Sequence, residues 1–167
     1  MESENILDGS LGSLLYERAD DLSVLSNFYC GILDMDNFIH KSLQNAILRD
    51  GLDTYLVKNG NEILAVFSIC EHTLRTKLSS GEYVNYDTIE IEYLAVKKDK
   101  QKCGIGKRII NLIVEKMMKG RNILSVSAYV DVDSKYTAVP FYEKCGFVSI
   151  GSRLHDLADY VKMVRFL

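Results

Sequence analysis

Two glycines one residue apart, Gly104 and Gly106, close the short run Gln101, Lys102, Cys103, Gly104, Ile105, Gly106. Before that run lies a stretch rich in β-branched and aromatic residues, 89–96. After it, from Lys107, apolar residues recur at Ile109, Leu112, Ile113 and Met117. The first has the composition of a strand and the second the spacing of a helix. A strand, a tight Gly-x-Gly loop and a helix leave backbone N–H groups at the helix start pointing outward. Such a nest binds anionic oxygens, phosphate above all. Basic residues crowd the same place. Lys97, Lys98, Lys100, Lys102, Lys107 and Arg108 against Asp99 leave a net +5, so the remainder carries −8 of the overall −3. The cluster reads either as a solvated basic loop or as an electrostatic cradle for phosphate, and its coincidence with the nest favours the cradle.

The loop is not a P-loop, because no Gly-x-x-x-x-Gly-Lys-Ser/Thr is present. It is not a dinucleotide fingerprint either, since Lys107-Arg108-Ile109 follows Gly106 with no third glycine. The pattern is Gln-x-x-Gly-x-Gly directly after Leu94-Ala95-Val96. About 35 residues on comes Ala138-Val139-Pro140-Phe141-Tyr142-Glu143-Lys144-Cys145-Gly146-Phe147, a distance that suits a crossover helix plus a strand. Together the two segments resemble the signatures of the GNAT N-acetyltransferase superfamily, over about residues 28–167. That resemblance implies a GNAT-like α/β fold: a mixed, mostly antiparallel sheet with one splayed parallel strand pair and helices on both faces. It implies acetyl-CoA as acyl donor, direct transfer to an amine, and no metal. Backbone groups of Leu94, Ala95 and Val96 would hold the pantetheine arm and the acetyl oxygen. Gln101, Lys102, Cys103, Gly104, Ile105, Gly106 and Lys107 would hold the phosphates.

The same resemblance makes Tyr142 the candidate general acid. A phenol is protonated at neutral pH and can donate to a thiolate. The competing reading is that Tyr142 only packs beside Phe141 and Phe147. For a general base, Glu90 lies four residues before Leu94, the spacing of the base in histone-acetylating members. Glu92 shares its strand face by the period of two and could act through water. The competing reading for both is a solvated or salt-bridged strand face. One position departs from the family: Lys135 stands seven residues before Tyr142, where many members carry an Asn that contacts the CoA arm.

Phe28, Cys30 and Gly31, followed by an apolar residue, an aspartate and Phe38-Ile39, are similar to the N-terminal signature of the toxin-type GNAT branch. That branch includes toxins of bacterial toxin–antitoxin pairs, which acetylate the α-amine of aminoacyl-tRNA, beside uncharacterised relatives. The plain alternative is a packing motif. tRNA is held largely through its phosphates, and the chain outside 97–108 is acidic. The expected acceptor is therefore a primary amine of a small molecule or peptide. Aminoacyl-tRNA acetylation and a non-catalytic CoA-binding module are the alternatives. Expected partners are acetyl-CoA, the amine acceptor, a second copy of the chain and, for a toxin, an antitoxin.

A chain of 167 residues is expected to form one domain, 1–167, large enough to bury roughly 68–70% of its unfolded surface. Cys30, Cys70, Cys103 and Cys145 are scattered, with no Cys-x-x-Cys and no zinc spacing, as expected of reduced thiols in a bacterial cytoplasm. The start MESENILDGS is not a signal peptide, and the longest apolar run, 63–70, is too short to span a membrane.

In chain order, residues 11–16 read as a first strand and 20–25 as a short helix start capped by Asp20. Met35, Phe38, Ile39, Ser42, Leu43, Ala46 and Ile47 mark one helix face running to about Arg49, with Asp34 as its cap. Residues 54–57 and 63–70 read as strands joined at Asn59-Gly60. Residues 71–88 read as a loop-rich insert that could wall the substrate side. Gly120 would cap the central helix, and 123–130 would form a strand parallel to 89–96. A short helix with Pro140 in its first turn would end at Gly146, followed by strands at 147–151 and 160–167.

Overall fold

The computed structural model describes residues 3–8, 12–19, 21–131, 133, 135–155 and 158–167. The strands are β1 (Ser3–Asp8), β2 (Gly12–Arg18), β3 (Asp53–Asn59), β4 (Glu62–Lys77), β5 (Tyr83–Val96), β6 (Ile123–Asp131), β7 (Tyr136–Thr137), β8 (Val148–His155) and β9 (Ala158–Phe166). The α-helices are α1 (Leu33–Lys41), α2 (Leu43–Asp50), α3 (Ile105–Lys116) and α4 (Val139–Lys144). Hydrogen-bonded neighbours follow the order β1-β2-β3-β4-β5-β6-β9-β8, with β7 on β6. The sheet is mostly antiparallel, and β5 with β6 is its parallel pair. This is the mixed α/β architecture expected from the sequence. No helix among the described residues is long and apolar enough to cross a membrane.

The residues fall into two compact units, Met1–Cys70 with Glu92–Leu112, and Glu71–Ile91 with Ile113–Leu167. In the first unit, Leu25, Phe28, Ile39, Leu43, Leu56, Val66 and Ala95 form a buried cluster. Each large apolar side chain so buried contributes about 1.5–3 kcal/mol. The helix expected to run on to Arg49 is broken at Ser42 (φ −123°) into α1 and α2, and Gly51 in the left-handed region closes the second. Asp34 does not cap α1, whose N-cap Ile32 has no side-chain partner. The N-terminal strand is two strands, β1 and β2, paired from Ser3 with Glu17 to Asp8 with Gly12. At 23–25 there is only a 3-10 turn, where the Asp21 carboxylate accepts from Ser23 N at 2.9 Å. Asp20 lies outside the described residues.

In the second unit the expected insert at 71–88 is instead strand. β4 runs on to Lys77 and β5 begins at Tyr83. The turn between them is closed by Leu78 N to Glu82 O at 2.7 Å and Gly81 N to Leu78 O at 2.9 Å. This ribbon is exposed along most of its length, so no apolar alternation marks it. β5 pairs with β6 in parallel, Ile89–Ile91 against Leu124–Val126. β6 meanwhile pairs with β9 through Asp131. Gly120 does not cap α3, which ends at Lys116. With Lys119 it forms a left-handed turn (φ 78° and 51°) closed by Arg121 N to Met118 O at 2.9 Å. Pro140 sits in the first turn of α4, and Gly146 (φ 86°) follows its end.

Candidate active site

In the first unit, β5 ends at Leu94, Ala95 and Val96, and the chain turns through a 3-10 turn at Lys98–Lys100 into the glycine loop. Lys102 (φ 61°) and Gly104 (φ 83°) both adopt left-handed backbone, and α3 begins at Ile105, two residues before the expected Lys107. The first intrahelical bond is Arg108 N to Gly104 O at 3.2 Å. The N–H groups of Ile105, Gly106 and Lys107 therefore have no partner within the helix, as a nest requires. Lys102, Cys103, Gly104 and Lys107 are exposed, whereas Ile105 and Gly106 are buried.

Gln101 holds this loop in shape. Its side-chain Nε2 donates to Val96 O at 2.9 Å and to Cys30 O at 2.7 Å. Lys98 N donates to Tyr29 O at 2.9 Å. The segment it meets is itself fixed, because the buried Asp36 carboxylate accepts from Cys30 N (2.7 Å) and Gly31 N (3.1 Å). Gly31 has φ +89°, and a Cβ there would lie 3.1 Å from the Lys98 side chain. Cys30, Gly31 and Asp36 thus all have a structural reason at the edge of the loop, and Phe28 packs in the buried cluster. Burial pushes the Cys30 thiol up to about 12.

In the second unit, Tyr142 is a buried residue of α4. Its ring meets the edges of Phe141 (centroids 4.9 Å apart) and Phe147 (5.4 Å). Its carbonyl accepts from Cys145 N and Phe147 N, both at 3.0 Å. Burial, with smaller contributions from Tyr136 and Cys145, raises the phenol above its ordinary range. Among the described residues no side chain hydrogen-bonds its hydroxyl. The arrangement gives a packed ring carrying a proton it does not lose near neutrality. Lys135, at the position where the family pattern has Asn, is exposed with φ 60°.

Glu90 is buried on β5, and its surroundings are charged. The Lys162 ammonium contacts Oε1, Ser127 Oγ donates to the same oxygen at 3.5 Å, and His72 Nε2 lies 3.3 Å from Oε2. Glu92, by contrast, is exposed in the first unit and accepts from Cys70 Sγ at 3.3 Å. The two glutamates therefore occupy unlike environments. His72 and Lys162 are additions that the motifs do not name. A lysine inside Tyr160-Val161-Lys162-Met163-Val164, an otherwise apolar run, is the one visible signal, since a charge there requires a partner.

Residues 19–147 match the Acetyltransferase (GNAT) family. The chain belongs to that family and is an acyltransferase of the GNAT type. Solved structures share the fold at low identity. The AtaT toxin, as a tyrosine-to-phenylalanine mutant bound to the C-terminus of the antitoxin AtaR and acetyl-CoA, is 19% identical over 89% of this chain and 92% of that one, with a TM-score of 0.62. AtaT complexed with acetyl-methionyl-tRNAfMet is 19% identical over 88% and 93%, with a TM-score of 0.60. A chain of the NatC complex bound to Gag peptide and CoA is 15% identical over 92% and 98%, with a TM-score of 0.62.

Proposed function

We propose that this chain transfers the acetyl group of acetyl-CoA to a primary amine of a small molecule or peptide by direct attack. The observation that carries the donor half is the strand–loop–helix nest at 101–107, with two left-handed residues, a fresh helix start and the +5 charge around it. Its N–H groups and lysines suit the pyrophosphate of CoA, and the backbone of Leu94, Ala95 and Val96 suits the pantetheine arm. When the amine attacks the thioester, the C–N bond forms and the C–S bond breaks. Tyr142 gives its proton to the departing thiolate.

The charge distribution carries the acceptor half. Outside 97–108 the chain bears −8, and in the second unit Lys162 faces Glu90 while Lys119 and Arg121 face Glu71. A tRNA needs cations turned to its phosphates. A second reading, acetylation of aminoacyl-tRNA by a toxin with its antitoxin, is favoured by the likeness to AtaT in complex with acetyl-methionyl-tRNAfMet and by the Phe28–Cys30–Gly31 signature. Cys30 and Gly31 of that signature, however, are accounted for by contacts with Lys98, Gln101 and Asp36, and Phe28 by its place in the buried cluster. Incubation with acetyl-CoA, a tripeptide with a free N-terminus and a cell-free translation system separates the two. The expected result is an acetylated peptide and unimpaired translation. Translation arrest that requires Tyr142, with acetylated aminoacyl-tRNA recovered, would establish the tRNA reading instead.

A further inference from the structure

We propose that His72, held by the buried Glu90, is the base that takes the proton from the acceptor amine. This role rests on the acetyl-transfer reading above. Glu90 itself is badly placed for the task. Its side chain is only 7% exposed, and one of its oxygens already serves Lys162 and Ser127. The other oxygen faces His72 Nε2 at 3.3 Å. The His72 side chain is 43% exposed, so the pair joins a buried carboxylate to an imidazole that reaches solvent. A carboxylate on one ring nitrogen holds the proton there and leaves the other as acceptor. Here Nε2 carries the hydrogen and Nδ1 takes the incoming proton.

The backbone at His72 is also fixed. Thr88 Oγ donates to His72 O at 3.2 Å and lies 3.1 Å from Ser125 Oγ, with Thr88 and Ser125 fully buried. The charged group that meets the ring is Glu90 on β5, itself held by Lys162 on β9; Glu71, the strand neighbour of His72, points to the opposite face and pairs with Lys119 and Arg121. The proton count closes. An ammonium acceptor loses two protons as the amide forms. His72 takes the first and passes it to solvent, and the second leaves as the tetrahedral adduct collapses. The CoA thiolate gains one proton, so one proton is released per turnover.

Imidazole ¹⁵N shifts and initial-rate pH profiles test this, with methioninamide, a free-N-terminus tripeptide and aminoacyl-tRNA as acceptors. In the wild type, His72 should be the Nε2–H tautomer near neutral pH. An Nδ1–H tautomer would overturn the pairing whatever the enzyme acetylates. His72→Gln should lower kcat/KM about 10²-fold or more at neutral pH. It should leave the acetyl-CoA thermal shift intact and recover activity at high pH, where the amine deprotonates unaided. Added imidazole should partly rescue His72→Gly. An unchanged pH profile in His72→Gln, with wild type active, would remove His72 from the chemistry alone. A wild type that transfers acetyl to none of these acceptors would overturn the functional reading and this role together.

Discussion

Around the loop at 97–106 nearly every fixed point is a backbone group, whereas around Glu90 nearly every one is a side chain. Gln101 reaches the carbonyls of Cys30 and Val96, Lys98 N reaches Tyr29 O, and Asp36 gathers the N–H groups of Cys30 and Gly31. Glu90 is held by Lys162, Ser127 and His72. A site made of backbone presents the same donors whatever residues decorate it, which suits a ligand that never changes. A site made of charged side chains is altered by a single substitution, which suits a ligand that differs between relatives. In the proposed reaction the donor end would thus be written in conformation and the acceptor end in residue identity.

Tyr142→Phe should have the largest effect. It keeps the edge contacts with Phe141 and Phe147 and removes only the hydroxyl, so kcat should fall about 10²–10⁴-fold with acetyl-CoA binding unchanged. An unaltered kcat with a rate-limiting acceptor would return Tyr142 to a packing role. Gly106→Asp comes next. Acetyl-CoA at a hundredfold over its Kd should stabilise the wild type by about 2.7 kcal/mol. A carboxylate on the first turn of α3 should erase that shift, and a folded variant that keeps it would disprove the nest.

Asp36→Asn places an amide where two backbone N–H groups need acceptors, and should cost about 1–3 kcal/mol of stability by urea titration. A loss that small, paired with weaker acetyl-CoA binding, would confirm that the backbone-built region transmits its shape to the loop. The smallest effect is alkaline. Cys30 holds its proton in the fold up to about 12, whereas an unfolded thiol ionises near 8.5. Above that lower value the unfolded state binds fewer protons, so stability should decline as pH rises between the two. Iodoacetamide at pH 8.5 should label exposed Cys103 and spare Cys30. Equal labelling would mean that the clamp opens.

The strand–loop–helix turn was legible because glycine spacing, strand composition and helical period all fall within residues 89–117. The hairpin at Asn59-Gly60 was legible for a similar reason, since its turn chemistry is local. The ribbon at 71–88 was not, because neither of its faces is continuously buried and hydropathy has nothing to alternate against. Ser42 broke a helix that hydropathy reads as one, since the apolar face continues across the break. Gln101 was placed by its motif, but its amide turns to two carbonyls, one of them 71 positions away. The Glu90 cluster was out of reach for the same reason: Lys162 lies 72 positions from its partner, and sequence spacing carries no record of such pairs.

Neither compact unit is one continuous stretch of chain; each is completed only by a segment that follows part of the other. The ribosome delivers the chain from its N-terminus at about 5–20 residues per second. Cys30 therefore waits roughly 4–14 s for Gln101 at that pace. A nascent chain that has not yet released residues 97–106 lacks Gln101, which joins the Cys30 and Val96 carbonyls. Until that later segment has been made, the Cys30 carbonyl and the bend around Gly31 have nothing to fasten to.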